Sequence, residues 1–198
     1  MSTLDRSFYE RDTKIVAIEL LGKIICIQDV RACGVLRGMI VETEAYYGTN
    51  DAASHAACGI TPRNRVMFGP GGRSYVYFNY GVHSLFNVVS EPQGIAGAVL
   101  IRAVEPLNNL TLLRRRRQLD PMKPNEWVSN GPGKWTQAFG ITLDHNDLDL
   151  SSEPIWIEQG RDQSAIISCH ATKRVGIRKA QSLPYRFVMD NNCFISKT

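Results

Sequence analysis

Apolar positions follow two different periods along the chain, and together they predict an α+β protein. Residues 4–22 carry apolar side chains at helical spacing and end at Gly22, which predicts one or two helices there. Helices are also predicted at residues 107–119 and 131–140. Short apolar and aromatic runs predict strands at residues 23–28, 35–46, 74–79, 82–90, 98–106, 155–158, 174–177 and 185–189. Many strands in chain order with a few helices are typical of the α+β class.

A single domain is expected over residues 1–198, because no repeat, low-complexity segment or long linker divides the chain. The composition, with 43% hydrophobic and 21% charged residues, is typical of a folded globular protein. The longest apolar run, at residues 98–101, is too short to cross a bilayer, and the N-terminal residues lack the apolar core of a signal peptide. We therefore expect a soluble, cytoplasmic protein with no membrane contact.

Residues 41–47, VETEAYY, combine a strand pattern with two carboxylates and two tyrosines. Alternate side chains of a strand point to the same face, so we expect Glu42, Glu44 and Tyr46 to lie together. One interpretation is an edge strand with an acidic, solvent-exposed face. Another is a pair of carboxylates that flank a scissile sugar bond, although neighbours on one strand face lie on the same side of such a bond.

An arginine inside an apolar strand changes the balance between these interpretations. Arg102 lies within AVLIRAVEP, residues 98–106, where a buried guanidinium needs a negative partner. Glu42 and Glu44 are the obvious partners, and an arginine whose head reaches solvent is the alternative. A buried pair of this kind would keep a carboxylate ionised in a pocket, as a general base must be.

Aromatic side chains dominate RSYVYFNYG, residues 73–81. The period of two places Tyr75 and Tyr77 on one face, and Tyr80 falls beside Gly81 at the tip of a predicted hairpin. A tyrosine at such a tip either packs on a neighbouring loop or is offered to a partner as a wedge between bases. The net charge of +4 permits an anionic partner such as nucleic acid without requiring one.

Two loops allow either a structural or an anion-binding role. TPRNR, residues 61–65, contains Arg63 and Arg65. These side chains either lie in a solvated turn or contact a phosphate. GPGKW, residues 131–135, lacks the full spacing of an ATP-binding loop. Its glycines and Lys134 could nevertheless hold one phosphate at a helix start.

Metal binding is disfavoured by the residues that could supply ligands. His55 lies in the long loop 48–65, and no second histidine or cysteine stands at ligand spacing from it. Five scattered cysteines without a CxxC pair also disfavour a disulfide framework, so reduced cysteines are expected. We therefore expect no metal site.

Taken in order, these motifs resemble the alkyladenine (3-methyladenine) DNA glycosylase family of monofunctional base-excision enzymes. The resemblance rests on VETEAY, the loop histidine, TPRNR followed by MF, YVY with YG, LFNVVS, LIRAVEP and SNGPGK, and it runs from LLGK to PYRF. It implies a curved, mainly antiparallel sheet with flanking helices and a protruding hairpin that inserts into DNA. It implies that a monomer hydrolyses the N-glycosidic bond of damaged purines in double-stranded DNA, with no cofactor and no lyase activity.

The resemblance also implies roles for individual residues. Glu44 would activate the attacking water, with Arg102 and the backbone carbonyl of Val175 as further contacts to that water. The pocket for the flipped base would comprise Tyr46, His55, Tyr77 and Asn87, the last of which would crowd the exocyclic amine of guanine. DNA contacts would come from the inserted Tyr80 and from His83, Arg63, Arg65, Met67, Gly131, Gly133 and Lys134. Glu42 would orient the site or pair with a basic side chain.

Two other functions are weighed against this one. A non-catalytic module that binds damaged DNA would share the fold, and a sugar-cleaving glycosidase would use Glu42 together with Glu44. The chain departs from the mammalian enzyme of the family at Val82, His83 and the GPGGR turn, residues 69–73, which bears on lesion range and DNA affinity rather than on the reaction. Its shorter N-terminus suggests a bacterial-type enzyme, which would associate with the nucleoid.

Overall fold

The computed structural model describes residues 2–32, 34–79, 81–160 and 167–196. Its α-helices are α1 (Arg6–Tyr9), α2 (Thr13–Glu19), α3 (Leu110–Arg116) and α4 (Pro132–Phe139). Its strands are β1 (Ile24–Asp29), β2 (Gly34–Tyr47), β3 (Ser74–Asn79), β4 (His83–Val89), β5 (Gly97–Pro106), β6 (Ser151–Ser152), β7 (Ile155–Glu158), β8 (Cys169–Thr172) and β9 (Arg186–Met189). The predicted α+β class is confirmed, and no helix in these ranges has the length and apolarity of a membrane span.

The strands form one curved antiparallel sheet around β2, its longest member. The order is β3-β4-β5-β2-β1-β7-β6, and β9 pairs with both β2 and β8. With 14 residues, β2 pairs with β5 along one edge and with β1 and then β9 along the other. The acidic part of β2 therefore lies inside the sheet, and the interpretation as a solvent-exposed edge strand is wrong.

One irregularity in β2 lies beside its acidic residues. The register with β5 shifts on either side of Glu42, which pairs with Ala103, while the neighbouring pairs are Ile40 with Val104 and Thr43 with Ile101. A bulge of this kind bends a strand and changes the direction of its side chains, and bulges are frequent beside active sites. The distortion falls at Glu42 and directly opposite Arg102.

The main hydrophobic core forms where α2 and α4 pack against the sheet. Trp135 and Phe139 of α4 are completely buried there, and the indole Nε1–H of Trp135 donates to the carbonyl of Ile101 at 2.8 Å. The side chain of Asp12 caps α2, because it accepts hydrogen bonds from the backbone amides of Lys14 and Ile15 in the first turn. This cap separates α2 from α1, so the predicted helical segment 4–22 contains two short helices.

Some element predictions need correction. The predicted strand at residues 174–177 is an irregular loop, because Gly176 has a φ of +77° and the Val175 amide donates to a side chain rather than to a strand. The predicted helix at 107–119 shortens to α3, since Asn109 and Gln118 both have positive φ. The short strands β6 and β8 were not predicted.

Candidate active site

A cavity of about 570 Å³ opens between the second half of β2, the hairpin of β3 and β4, and the loop around residue 176. Its volume falls within the range of small-molecule pockets in proteins. Seven of the residues predicted to belong to the site line this cavity: Tyr46, His55, Met67, Tyr77, Asn87, Arg102 and Val175. The sheet thus gathers motifs that are up to about 130 residues apart in the chain.

Glu44 is fully buried, directly behind three residues that line the cavity, Tyr46, Arg102 and Val175. Its Oε1 accepts a hydrogen bond from the Val175 amide at 2.8 Å and lies 3.2 Å from Nη1 of Arg102. Its Oε2 accepts a hydrogen bond from the Tyr46 hydroxyl at 2.7 Å. Burial raises the pKa of Glu44 above its ordinary value, although Arg102, the Val175 amide and the Tyr46 hydroxyl all act in the opposite direction.

Arg102 is buried and has the carboxylate partners that the sequence predicted for it. Its Nε donates to Oε1 of Glu42 at 2.9 Å, so both carboxylates of β2 contact the same guanidinium. Burial acts to lower the pKa of Arg102, but the two carboxylates outweigh burial and raise it. The shared face of Glu42 and Glu44 is confirmed, since the intervening Thr43 donates to the Ala17 carbonyl of α2 instead.

Aromatic rings form one wall of the cavity. The His55 ring lies edge-on to Tyr77, with 4.5 Å between the ring centroids, and the Tyr75 and Tyr77 centroids are 5.4 Å apart. Nδ1 of His55 is 2.9 Å from the Tyr75 hydroxyl. Burial lowers the pKa of His55, and the nearby Arg63 guanidinium lowers it further. The histidine is therefore held in its neutral form at physiological pH.

Tyr46 lines the cavity as well, and a guanidinium lies over its ring. The Arg174 guanidinium is 4.6 Å from the Tyr46 centroid and forms a two-pronged, buried ion pair with Asp51. Arg174 also donates to the carbonyl of Ala45 at 2.9 Å. These contacts hold the loop that contains Val175 against the end of β2.

A model of the methylpurine-DNA glycosylase family matches residues 7–193 of the chain. The chain belongs to this family. A protein of Prosthecochloris aestuarii, named as a candidate 3-methyladenine DNA glycosylase, is 44% identical over 198 residues, which cover 100% of this chain and 92% of the relative. Proteins with the same name are 43% identical in Chlorobium phaeobacteroides (99% of this chain, 96% of the relative) and in Methanoculleus marisnigri (98% and 99%).

Several of the residues predicted to contact DNA in this glycosylase-family chain lie where the β3–β4 hairpin meets the start of α4. His83 begins β4 and lies against the start of α4, where a Cβ on Gly133 would be 2.6 Å from the His83 ring. Lys134 donates to the side chain of Asn130 at 2.7 Å and lies 5.4 Å from the Trp127 ring centroid. Gly131 and Gly133 are both buried. Tyr80, expected at the hairpin tip, lies outside the described residues.

The TPRNR segment contributes a cation beside the aromatic wall. Arg63 is exposed, and its guanidinium lies 5.2 Å from the Tyr77 ring centroid. Arg65 is also exposed, at the start of a 3₁₀ turn. Met67 needs correction, because it is 1% exposed and packs in a small hydrophobic cluster under the cavity. It forms part of the pocket wall and not of the outer surface where we expected a DNA contact.

Several cavity residues were not predicted from the sequence. Arg178 and Lys179 line the cavity and directly follow residues 174–177, which were wrongly predicted as a strand. The basic run KRVGIRK at residues 173–179 was the available signal for them. Tyr75 and Arg174 were likewise given no role, although both contact predicted pocket residues. Within the described ranges, no three His, Cys, Asp or Glu side chains are grouped as metal ligands.

Asn87 lies in β4 on the floor of the cavity. It is buried, and its side-chain amide donates to the carbonyl of Tyr75 at 3.0 Å. This bond orients the amide group and uses one of its two N–H donors, so the other N–H and the carbonyl oxygen are left for a ligand. The position fits a residue that distinguishes ligands by their polar edge.

Proposed function

We propose that this chain is a monofunctional DNA glycosylase that hydrolyses the N-glycosidic bond of damaged purines in double-stranded DNA. The observation that carries the proposal is the contact of the buried Glu44 carboxylate with Arg102 and the Val175 amide, at the wall of an aromatic cavity. The family match and the relatives named for 3-methyladenine support the same reaction.

The damaged base would leave the helical stack and enter the cavity, because a base inside the duplex is not accessible to a catalytic group. Tyr46, Tyr77 and His55 would stack on it. Alkylated purines carry positive charge, which the faces of aromatic rings attract. Since His55 is neutral, it would add no repelling charge. Asn87 would crowd the exocyclic amine of an undamaged guanine.

Glu44 would act as the general base that takes a proton from the attacking water. Its raised pKa makes it a stronger base than a solvated glutamate. Arg102 and the Val175 carbonyl would hold the same water. The water oxygen would bond to the sugar carbon as the carbon–nitrogen bond breaks, and the electron pair of that bond would leave with the purine. A cationic purine leaves as a neutral base and needs little help from an acid.

The surface around the cavity would bind the DNA backbone and fill the gap left by the base. Arg63 and Arg178 would contact phosphates beside the cavity. Tyr80 would be inserted into the duplex, as its place in the sequence between Asn79 and Gly81 suggests. We further propose that residues 1–198 act as one monomeric domain without a metal or another cofactor.

Water, rather than an amine, would be the nucleophile. Lys179 lines the cavity, but it is exposed to solvent, whereas desolvation in an apolar pocket is a common way to activate a lysine as a nucleophile. A lysine nucleophile would form a Schiff base with the sugar and permit strand cleavage. Reduction with borohydride should therefore trap no covalent complex between wild-type protein and a cleavable duplex, and a trapped complex that disappears in Lys179→Ala would show lyase chemistry.

The experiment that tests the proposal measures free base and alkali-labile sites from a duplex that contains one alkylated purine. We expect stoichiometric release of base, with strand breaks only after alkali treatment. A protein that binds the damaged duplex tightly but releases no base would instead be the non-catalytic binding module. EDTA should leave the rate unchanged, and loss of activity in EDTA would contradict the absence of a metal.

A further inference from the structure

A second buried carboxylate, which the proposed reaction does not use, lies on the same strand face as Glu44. Glu42 is fully buried and accepts four hydrogen bonds. Its Oε1 accepts from Nε of Arg102 at 2.9 Å, from Nε of Arg186 at 2.7 Å and from Oγ of Ser196 at 2.7 Å. Its Oε2 accepts from the amide of Ser196 at 2.7 Å. Four accepted bonds match the capacity of an ionised carboxylate.

Glu42, Glu44 and Ser196 all contact the guanidinium of Arg102, and together with Arg186 they form one buried cluster. The Nε of Arg102 faces Glu42, its Nη1 faces Glu44 at 3.2 Å, and its Nη2 donates to the Ser196 hydroxyl at 3.3 Å. With its Nε and both Nη groups engaged, the guanidinium has a single orientation. Arg186 is bound to Glu42 and donates from Nη2 to the Ser196 carbonyl at 3.2 Å.

The charges in this cluster are balanced. Two guanidiniums, from Arg102 and Arg186, face two carboxylates, from Glu42 and Glu44. The Arg174 guanidinium also lies near Glu44 and is paired with the Asp51 carboxylate, and the Tyr46 hydroxyl donates to Glu44. Arg186 lies on β9 directly across from Glu44 of β2 in the strand register. A buried ion network is a weak source of stability, because the loss of hydration offsets the attraction between the charges. Because this network lies beside Glu44, a role in placing the reacting groups explains it better than a gain in stability.

We propose that Glu42 is a positioning residue for the hydrolysis, which holds Arg102 in place beside Glu44 and takes up part of its positive charge. This inference rests on the proposed function of Glu44. Arg186 supplies the counter-charge that Glu42 needs, and Ser196 fixes Glu42 through its amide and hydroxyl. The C-terminal segment thereby becomes part of the support of the reacting carboxylate.

The balance of charge makes predictions of opposite sign for two variants. Glu42→Gln leaves two guanidiniums near a single carboxylate, which lowers the pKa of Glu44 and weakens it as a base. Arg186→Gln leaves one guanidinium near two carboxylates, which raises the pKa of Glu44. A purely structural role would lower the amount of folded protein in both variants and would leave the pKa of Glu44 unchanged in the molecules that fold.

The test is the pH profile of single-turnover base release from a duplex with one alkylated purine, expressed per molecule of folded enzyme. We expect the acid limb of the profile to move to lower pH in Glu42→Gln and to higher pH in Arg186→Gln. The rate of Glu42→Gln at neutral pH should fall about 100-fold, because the position of Arg102 is no longer fixed. Affinity for a duplex with a stable abasic-site analogue should remain close to that of the wild type in both variants.

Two results would overturn the role of Glu42. The first is a Glu42→Gln enzyme that has the wild-type rate and the wild-type acid limb. The second is an Arg186→Gln enzyme whose acid limb stays at the wild-type pH. The second result decides the question even if Glu42→Gln does not fold. Glu44→Gln separates this inference from the proposed function. If Glu44→Gln is inactive and the other variants match the wild type, only the role of Glu42 fails. If Glu44→Gln releases base at the wild-type rate, the proposed function itself fails.

Discussion

At the scale of single residues, the proposed chemistry depends on one fully buried carboxylate, that of Glu44. Burial raises the pKa of Glu44, and Arg102 and the Val175 amide limit that rise. The alternation along β2 and the need of Arg102 for a negative partner were readable from the sequence. The contacts of Glu42 with Arg186 and Ser196 were not, because those residues follow it by 144 and 154 positions and reach it only through strand pairing and the C-terminal segment.

The raised pKa of Glu44 predicts how base release depends on pH. The carboxylate acts as a base only when ionised, so the rate must fall as the pH drops through its pKa. Because that pKa lies above the ordinary glutamate value of about 4.3, the acid limb should begin at higher pH than for a solvated glutamate. Single-turnover rates across the pH range, corrected for spontaneous loss of base, give the midpoint. A midpoint at or below the ordinary value would contradict burial as the controlling effect.

At the scale of elements, the site depends on how closely the β3–β4 hairpin approaches the start of α4. The hairpin and the opening glycines of α4 were both predicted from turn residues and apolar runs. Their contact was not predicted, since nothing local to either segment specifies it. The loop at residues 174–177 was missed for a related reason, because the Val175 amide and the Arg174 guanidinium bind the side chains of Glu44 and Asp51 instead of forming a strand ladder.

Gly133→Ala tests the contact between these two elements. The added Cβ would lie 2.6 Å from Cγ and 2.9 Å from Cβ of His83, atoms that rotation of the ring cannot move away. We expect a loss of about 1–3 kcal/mol in the free energy of unfolding, and weaker binding to a damaged duplex as the hairpin shifts. Chemical denaturation measures the first effect and fluorescence anisotropy the second.

Gly34→Ala is the matched control, because a Cβ at that position would have no neighbour within 4 Å. Its free energy of unfolding should stay within about 0.5 kcal/mol of the wild type. Equal losses in the two variants would show that the effect reflects the general cost of replacing a glycine and that the contact with His83 is unimportant.

At the scale of the whole molecule, the net charge of +4 is small, and its effect depends on where the cations lie. Arg178 and Lys179 line the cavity and Arg63 lies against its aromatic wall, so positive charge is placed where a duplex would enter. The sequence predicted the α+β class, which the structure confirms, and it shows a mildly basic protein. The location of the cations around one cavity required the fold, since the loop of Arg178 and Lys179 follows Arg63 by more than 100 residues.

Arg178→Ala tests whether these cations bind phosphate. Each phosphate contact releases counterions, so affinity falls as salt rises. Loss of one contact should make the negative slope of log affinity against log salt shallower by about 0.9. Binding of a damaged duplex at several salt concentrations gives this slope. Lys14→Ala removes an exposed positive charge from α2, away from the cavity lining, and should leave the slope unchanged. Equal changes in both variants would assign the effect to net charge alone.

The most direct test of the central claim is base release by the wild type and by Glu44→Gln on a duplex with one alkylated purine, under single-turnover conditions. Glutamine keeps the shape and the acceptor oxygen of Glu44 but cannot take a proton from water. We predict that the rate of base release falls at least about 100-fold in Glu44→Gln. Its affinity for a duplex that contains a stable abasic-site analogue should equal that of the wild type. Release at the wild-type rate by a folded, contamination-free Glu44→Gln preparation would contradict Glu44 as the general base.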